Sequence, residues 1–396
     1  MLFSLVHAGA PFRELHFNYV YLWDNLTVRQ HSESLSSAHT IRWTFQSLHA
    51  KGKPERRSTD LLPVLAASFR HALSVLSVSS SLHTLGLSRI RVQPAHQILI
   101  LSIKTLRTLE LVDSMFAATS VVMPHSSIKV LLLERWSSIP ITLLASSLEA
   151  LRLRQWKSPS YEILASTPLP RLTFFENAFI IQLPTHDYLA SFRNIRTLIL
   201  SSLGPGPVPP TALPRLTYLS APQDVGKALL PGRPVHTYHL SYIRHQIWAG
   251  SINNLLVELA PCAQHVQELH LWLRVSPWEL VVSLALHVPN VVRLYLRLVP
   301  SELLGDRTPA QSSVHMHPSL REFDIGFYVN TWQPLPRENC RKVLMKLTKV
   351  CPVLEIVRFG QLFPIDGGGI DERDVSFDLV MDMRRTSGGE WKERKW

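Results

Sequence analysis

LHTLGL at Leu82–Leu87, LRTLEL at Leu106–Leu111 and IKVLLL at Ile128–Leu133 are copies of one phrase, apolar-x-x-apolar-x-apolar, and its recurrence decides the fold. Further copies are FRELHF (Phe12–Phe17), LEALRL (Leu148–Leu153), IRTLIL (Ile195–Leu200), VHTYHL (Val235–Leu240) and VQELHL (Val266–Leu271). VVRLYL (Val291–Leu296), LREFDI (Leu320–Ile325) and LEIVRF (Leu354–Phe359) complete the clear set, and weaker copies lie at Leu172–Asn177, Leu216–Ala221 and Ala38–Trp43. No single copy carries weight: at 46% hydrophobic content, three apolar positions coincide in roughly one window in ten. The spacing does carry weight. Starts at 82, 106, 128, 148, 172, 195 and 216 are 24, 22, 20, 24, 23 and 21 residues apart, within the range of leucine-rich repeats, and later steps lengthen enough to hold helices.

The copies are about six residues long and rich in Thr, Val, Ile, Tyr and Phe, which favours short strands over amphipathic helices. Proline stands shortly before many of them, at Pro124, Pro170, Pro214, Pro261, Pro289, Pro318 and Pro352. Proline cannot continue a helix and biases its predecessor to extended backbone, so it closes one element before the next strand. Helices are expected at about Asp60–Leu73, Ser251–Leu259, Ser276–His287 and Pro336–Val350. The third opens with an N-cap serine, Pro277 and the capping-box Glu279, and the fourth sets Val343, Leu344 and Leu347 against Arg341, Lys342, Lys346 and Lys349.

The fold class expected is therefore α/β: a leucine-rich-repeat solenoid (horseshoe) with one long parallel sheet and irregular helices or turns on its convex side. It is expected to span residues 1–363. Residues 364–396 read as a C-terminal tail, poorly ordered after a short element at Val375–Met381. The asparagine or cysteine that usually follows each strand is not kept. Ser114, Trp136 and Trp156 stand near that place, so the turns must be satisfied in another way.

Lys and Arg number 41 against 30 Asp and Glu, a formal charge of +11, with basic clusters at Lys51–Arg57 and Arg384–Lys395. Such a balance suits an acidic protein, nucleic acid or an anionic surface. RNA-recognition, zinc-finger and helix-turn-helix signatures are missing, so nucleic acid ranks below protein as a partner. No run reaches the ~18 apolar residues of a membrane helix, and Met1–Ala10 lacks the basic leader of a secretory signal. Three scattered cysteines suggest a reducing compartment, cytoplasmic or nuclear.

Leu216–Leu240, LTYLSAPQDVGKALLPGRPVHTYHL, resembles a phrase recurring in fungal, mainly basidiomycete, F-box and leucine-rich-repeat-like proteins. The resemblance covers about residues 10–363. It implies the substrate-recognition repeats of a Skp–cullin–F-box ubiquitin ligase. The Leu-Pro-x-Glu-type opening of an F-box is not in the chain, which is already inside a repeat by Phe12, so a Skp-type adaptor is expected only if an F-box precedes Met1.

Catalytic signatures are not found. G-x-x-x-x-G-K-[ST], G-x-G-x-x-G, G-x-S-x-G and H-E-x-x-H are all missing, and Gly367–Gly369 reads as a hinge. His315 and His317 lack a third metal ligand at strong spacing. Cys340 and Cys351 read as buried structural thiols. Carboxylates are not clustered on outward strand positions as a carbohydrate-active β-helix needs. No enzyme activity, cofactor or metal is expected. Residues between the apolar positions should line the concave face: Arg152 and Arg154, then Glu268, His270 and Trp272, Arg293, Tyr295 and Arg297, with Glu322 and Asp324 beyond. Arginine and aromatics are enriched in binding hot spots, so this face is the candidate surface for a protein target. Trp136 and Trp156 read as turn packing.

Overall fold

The computed structural model describes residues 14–18, 38–44, 63–78, 81–116, 126–135, 137, 139, 141–154, 167–177, 189–203, 208–241, 252–272, 277–299, 316–328, 337–364 and 375–394. The chain divides into two compact units, Met1–Ile195 and Arg196–Trp396. Each is an α/β leucine-rich-repeat solenoid built on a largely parallel sheet.

In the first unit the strands are β1 (Glu14–Asn18), β2 (Thr40–Thr44), β3 (Thr84–Ser88), β4 (Arg91–Val92), β5 (Thr108–Val112), β6 (Met115–Phe116), β7 (Val130–Glu134), β8 (Ala150–Arg154) and β9 (Phe174–Asn177). The sheet runs β1-β2-β3-β5-β7-β8-β9, and β4 and β6 form a separate small pair. Neighbours are parallel throughout. The chain returns through α1 (Pro63–Val78) and α2 (Pro94–Ser102), and makes a 3₁₀ turn at Ile141–Leu144. The first apolar position of the phrase (Leu82, Leu106, Ile128, Leu148, Leu172) and the second (Leu85, Leu109, Leu131, Leu151, Phe175) are all buried. Leu87, Leu111, Leu133 and Leu153 fill the third. Each such leucine contributes about 1.5–3 kcal/mol of burial, but only because the next repeat covers it.

Backbone hydrogen bonds repeat with the same period. Arg107 and Thr108 both donate to the His83 carbonyl at 2.8 and 2.9 Å, Lys129 and Val130 to that of Arg107 at 2.8 and 2.9 Å, and Glu149 and Ala150 to that of Lys129 at 2.8 and 2.9 Å. This fork fixes the register between repeats. Past the strands, Arg89, Asp113 and Arg135 take left-handed φ of 61°, 49° and 59°, and their N–H groups reach the carbonyls of Val112, Glu134 and Arg154 at 2.9, 3.2 and 3.0 Å.

Serine does the work of the missing asparagine. Buried Ser114 accepts the Ile90 N–H at 3.2 Å, with the carbonyls of Leu87 and Val112 at 3.1 and 2.9 Å open to its one proton. Ser137 accepts the Ser114 N–H at 3.0 Å and lies 2.8 Å from the Leu111 carbonyl. The turn after β5 therefore uses Ser114, as the sequence suggested, and the turn after β7 uses Ser137. Trp136 and Trp156 lie outside the described residues, as do Pro124, His315 and Gly367–Gly369.

The second unit carries β10 (Thr197–Leu200), β11 (Tyr218–Ala221), β12 (Thr237–Leu240), β13 (Glu268–Trp272), β14 (Arg293–Val299), β15 (Glu322–Tyr328), β16 (Ile356–Pro364), β17 (Val375–Arg385) and β18 (Trp391–Glu393), paired in that order. Between them run α3 (Gln223–Leu229), α4 (Ile252–Leu259), α5 (Pro277–His287) and α6 (Arg337–Val350). α5 packs on both α4 and α6. Pro289, Pro318 and Pro352 sit in turns two residues before the buried Val291, Leu320 and Leu354.

The segment read as a poorly ordered tail is corrected in part: β17 and β18 extend the sheet in antiparallel sense, and β17 pairs with β16 from Pro364 to Ile356. The alternation Phe377, Leu379, Met381, Met383 is a strand pattern, and the bulge opposite Phe359–Gly360 skips Val380 in the pairing, leaving Leu379 exposed while Met381 and Met383 are buried.

The phrase LPGRPV has a structural reason. The Arg233 side chain is fully buried, and its guanidinium donates to the carbonyls of Ala212 (2.9 Å), Leu229 (3.0 Å), Pro231 (3.2 Å) and Pro209 (2.7 Å). It ties the C-terminal end of α3, where a cation is favoured, to the preceding loop. Gly232 holds a φ of 71°, which glycine adopts without strain.

Candidate functional site

Because side chains alternate across a strand, the positions between the buried leucines form aligned rows on the open face of each sheet. In the first unit one row reads Arg42, Gly86, Glu110, Leu132, Arg152 and Glu176. Arg42 crosses the whole of β3 to reach Glu110 with two bonds, 2.7 and 3.1 Å. Gly86 lies beneath it, where a Cβ would press on the Arg42 side chain. Arg152 and Arg154 both turn to Glu176, at 3.8 and 3.0 Å, and Arg152 also lies over the Phe174 ring, 5.0 Å from its centroid. These two arginines are thus engaged by a buried carboxylate within the sheet.

The second unit holds a richer array. One row runs Ser220, His239, His270, Tyr295, Asp324, Arg358 and Asp382 across seven strands. A second runs Tyr218, Thr237, Glu268, Arg293, Glu322 and Ile356 beside it. His270 and Tyr295 stack at 4.0 Å, and His239 tilts against His270 at 5.5 Å. The His270 Nε2–H donates to Glu268 at 2.8 Å. Arg293 pairs with Glu322 at 3.2 Å, while Arg358 meets Glu322 at 3.5 Å and Asp324 at 2.9 Å. The array is closed on one side by Arg297, whose guanidinium lies 4.4 Å from the Phe377 ring centroid. Phe377 in turn lies over Gly360, where a Cβ would overlap its ring.

The sequence reading placed Trp272 on this face. It is in register with Arg297, but only 5% of it is exposed, so Trp272 does not present itself to a partner and serves as packing. Register brings Glu268, His270, Arg293, Tyr295 and Arg297 together, with Glu322 and Asp324. Arg152 and Arg154 belong to the first unit. Tyr218, His239 and Arg358 were missed, although they occupy the same outward positions of their phrase copies.

The electrostatics make the array polar but weakly protonatable. Burial pushes His239 down to about 4, helped by His270 and Arg297 nearby. Burial also lowers His270, outweighing the opposing pull of Glu268. Burial and the Glu268 charge raise Tyr218, and the same causes, with Asp324, raise Tyr295. Both imidazoles are neutral at pH 7. Ser220 stands 3.4 Å from the Nδ1 of His239, but an imidazole held near 4 is a feeble general base at neutral pH.

Other chemistry-bearing residues are absorbed by structure. Cys340 and Cys351 are pushed up to about 12 by burial, which keeps them as protonated thiols. His317 is buried and accepts the Leu320 N–H at 3.2 Å through Nδ1. Among the described residues no three His, Cys, Asp or Glu converge to hold a metal, and no helix is long and apolar enough to cross a membrane.

No family model and no curated protein matches the chain in sequence. Among solved structures it is similar to an internalin of Listeria monocytogenes (14% identity, 74% of this chain and 86% of that one, TM-score 0.35). It is also similar to a leucine-rich-repeat protein of Leptospira interrogans (14% identity, 91% and 88%, TM-score 0.36). A third similarity is to TLR13 in a TLR13–ssRNA13 complex (13% identity, 87% and 57%, TM-score 0.39).

Proposed function

We propose that this chain is a non-enzymatic protein-binding scaffold whose target lies on the open face of β12–β16. One observation carries the reading: residues from four successive strands, β13–β16, bring two stacked rings, three arginines and three carboxylates into adjoining register rows. A solvated sheet face needs no such concentration, whereas hot spots are rich in tyrosine and arginine. The test is capture of a partner by the full chain and by the Arg293→Ala/Tyr295→Ala variant. Both side chains are on the open face, so the variant should fold with the same thermal midpoint and lose capture. Unchanged capture removes this surface from consideration.

The finer reading, a substrate receptor of a Skp–cullin–F-box ligase in a reducing compartment, is supported by the likeness of Leu216–Leu240 to fungal F-box-type repeat proteins. It is tested by whether a Skp-type adaptor co-purifies with the product of the longest in-frame transcript. A second reading, binding to nucleic acid or an anionic surface, is favoured by the exposed basic face of α6, with Arg341, Lys342 and Lys349. It requires binding at low salt that falls steeply as salt rises.

A further inference from the structure

Glu268 is set apart from the other carboxylates of the array. Glu322 and Asp324 face Arg293 and Arg358, and Asp382 faces Arg384 at 3.3 Å. Glu268 has, among the described residues, no lysine or arginine within ion-pair distance; its partner is His270. Burial disfavours the charged form of that imidazole, so it meets one carboxylate oxygen as a hydrogen-bond donor rather than as an ion-pair partner. The Glu268 charge is felt by Tyr218, two strands away along the same register row, and by Tyr295 on the next strand. The side chain of Glu268 is 27% exposed, and both phenols are partly exposed. A partly exposed anion, with Tyr295 on the next strand and Tyr218 two strands along the row, gives a cation a counter-charge beside aromatic side chains.

We infer that Glu268, between Tyr218 and Tyr295 on the open face of β11–β14, takes a lysine or arginine side chain of the protein partner. This rests on the reading of that face as the binding surface. The chain's net charge of +11 makes the point sharper, since a carboxylate without a lysine or arginine partner among the described residues stands out on a basic protein.

The test is a displayed library of random twelve-residue peptides, panned on the full chain and on three variants: Glu268→Gln, Tyr295→Ala and Lys342→Ala, the last on the distant α6. Glu268→Gln keeps the His270 hydrogen bond and removes only the charge, and its thermal midpoint should match the parent. Peptides that need Tyr295 and are indifferent to Lys342 should be enriched in Lys or Arg at one position, and Glu268→Gln should weaken them at least tenfold. Tyr295-dependent peptides with no basic position, or with unchanged affinity for Glu268→Gln, overturn the cation subsite while leaving the binding face intact. A library yielding no Tyr295-dependent peptide overturns both.

Discussion

The His270 imidazole lies flat on the Tyr295 ring, 4.0 Å between centroids and 11° between planes, with its Nε2–H spent on Glu268. Parallel strands in register place these rings side by side, and the fork of backbone bonds before each strand, with Glu268 and Arg293 following Gln267 and Val292, keeps them there. A stacked, neutral, hydrogen-bonded imidazole is a rigid platform rather than a proton shuttle, which is why the face is read as a recognition surface.

Neutral buried histidines make stability depend on pH. His239 and His317 are both pushed down to about 4 by burial, and His270 is lowered too. The unfolded chain takes up these protons near pH 6.5 and the folded chain only near 4, so the folded state is favoured above 6.5 and progressively loses that advantage as pH falls toward 4. Each of the two most shifted groups contributes at most about 3 kcal/mol. Asp324, raised by burial, works in the opposite sense at the acid end. Urea midpoints should fall between pH 7 and 4.5, and His239→Gln should flatten that decline; a variant with the parent's slope contradicts the burial of this imidazole.

Gly226, inside α3, should resist replacement by a better helix former. Alanine gains about 1 kcal/mol of helix propensity over glycine, but a Cβ there would overlap the Tyr238 hydroxyl, which is fixed on the carbonyls of Ala221 and Pro222 at 3.1 and 3.3 Å. Gly226→Ala should therefore lose about 1–3 kcal/mol by overpacking. Adding Tyr238→Phe should recover part of it, and denaturant titration of the double variant reads the coupling.

Arg233→Lys should be as damaging as a core truncation, near 2–4 kcal/mol, because one ammonium cannot reach carbonyls on both the preceding loop and the end of α3. A thermal midpoint within one degree of the parent contradicts that account.

The repeat was legible because a buried leucine at a fixed interval has one physical meaning, and even the weak copies at Leu172, Leu216 and Ala38 are strands β9, β11 and β2. Four expected helices appear as α1, α4, α5 and α6, with ends shifted by a few residues; α2 was not expected, though Pro94 opens it. The site was half legible. The outward-position rule finds Glu268, His270, Arg293, Tyr295 and Arg297, and the same rule applied to VHTYHL and LEIVRF finds His239 and Arg358. Periodicity cannot give the burial of Trp272, nor can it show that Arg152 and Arg154 share one buried glutamate, because both depend on what lies across the sheet.

The most direct measurement of the central claim places a photo-crosslinking amino acid at Arg293, on the open face, and in a second variant at Lys342, on α6; the two side chains are 51% and 58% exposed. The account predicts that illumination joins the partner to position 293 and leaves position 342 unjoined. Crosslinking at 342 with none at 293 would contradict it.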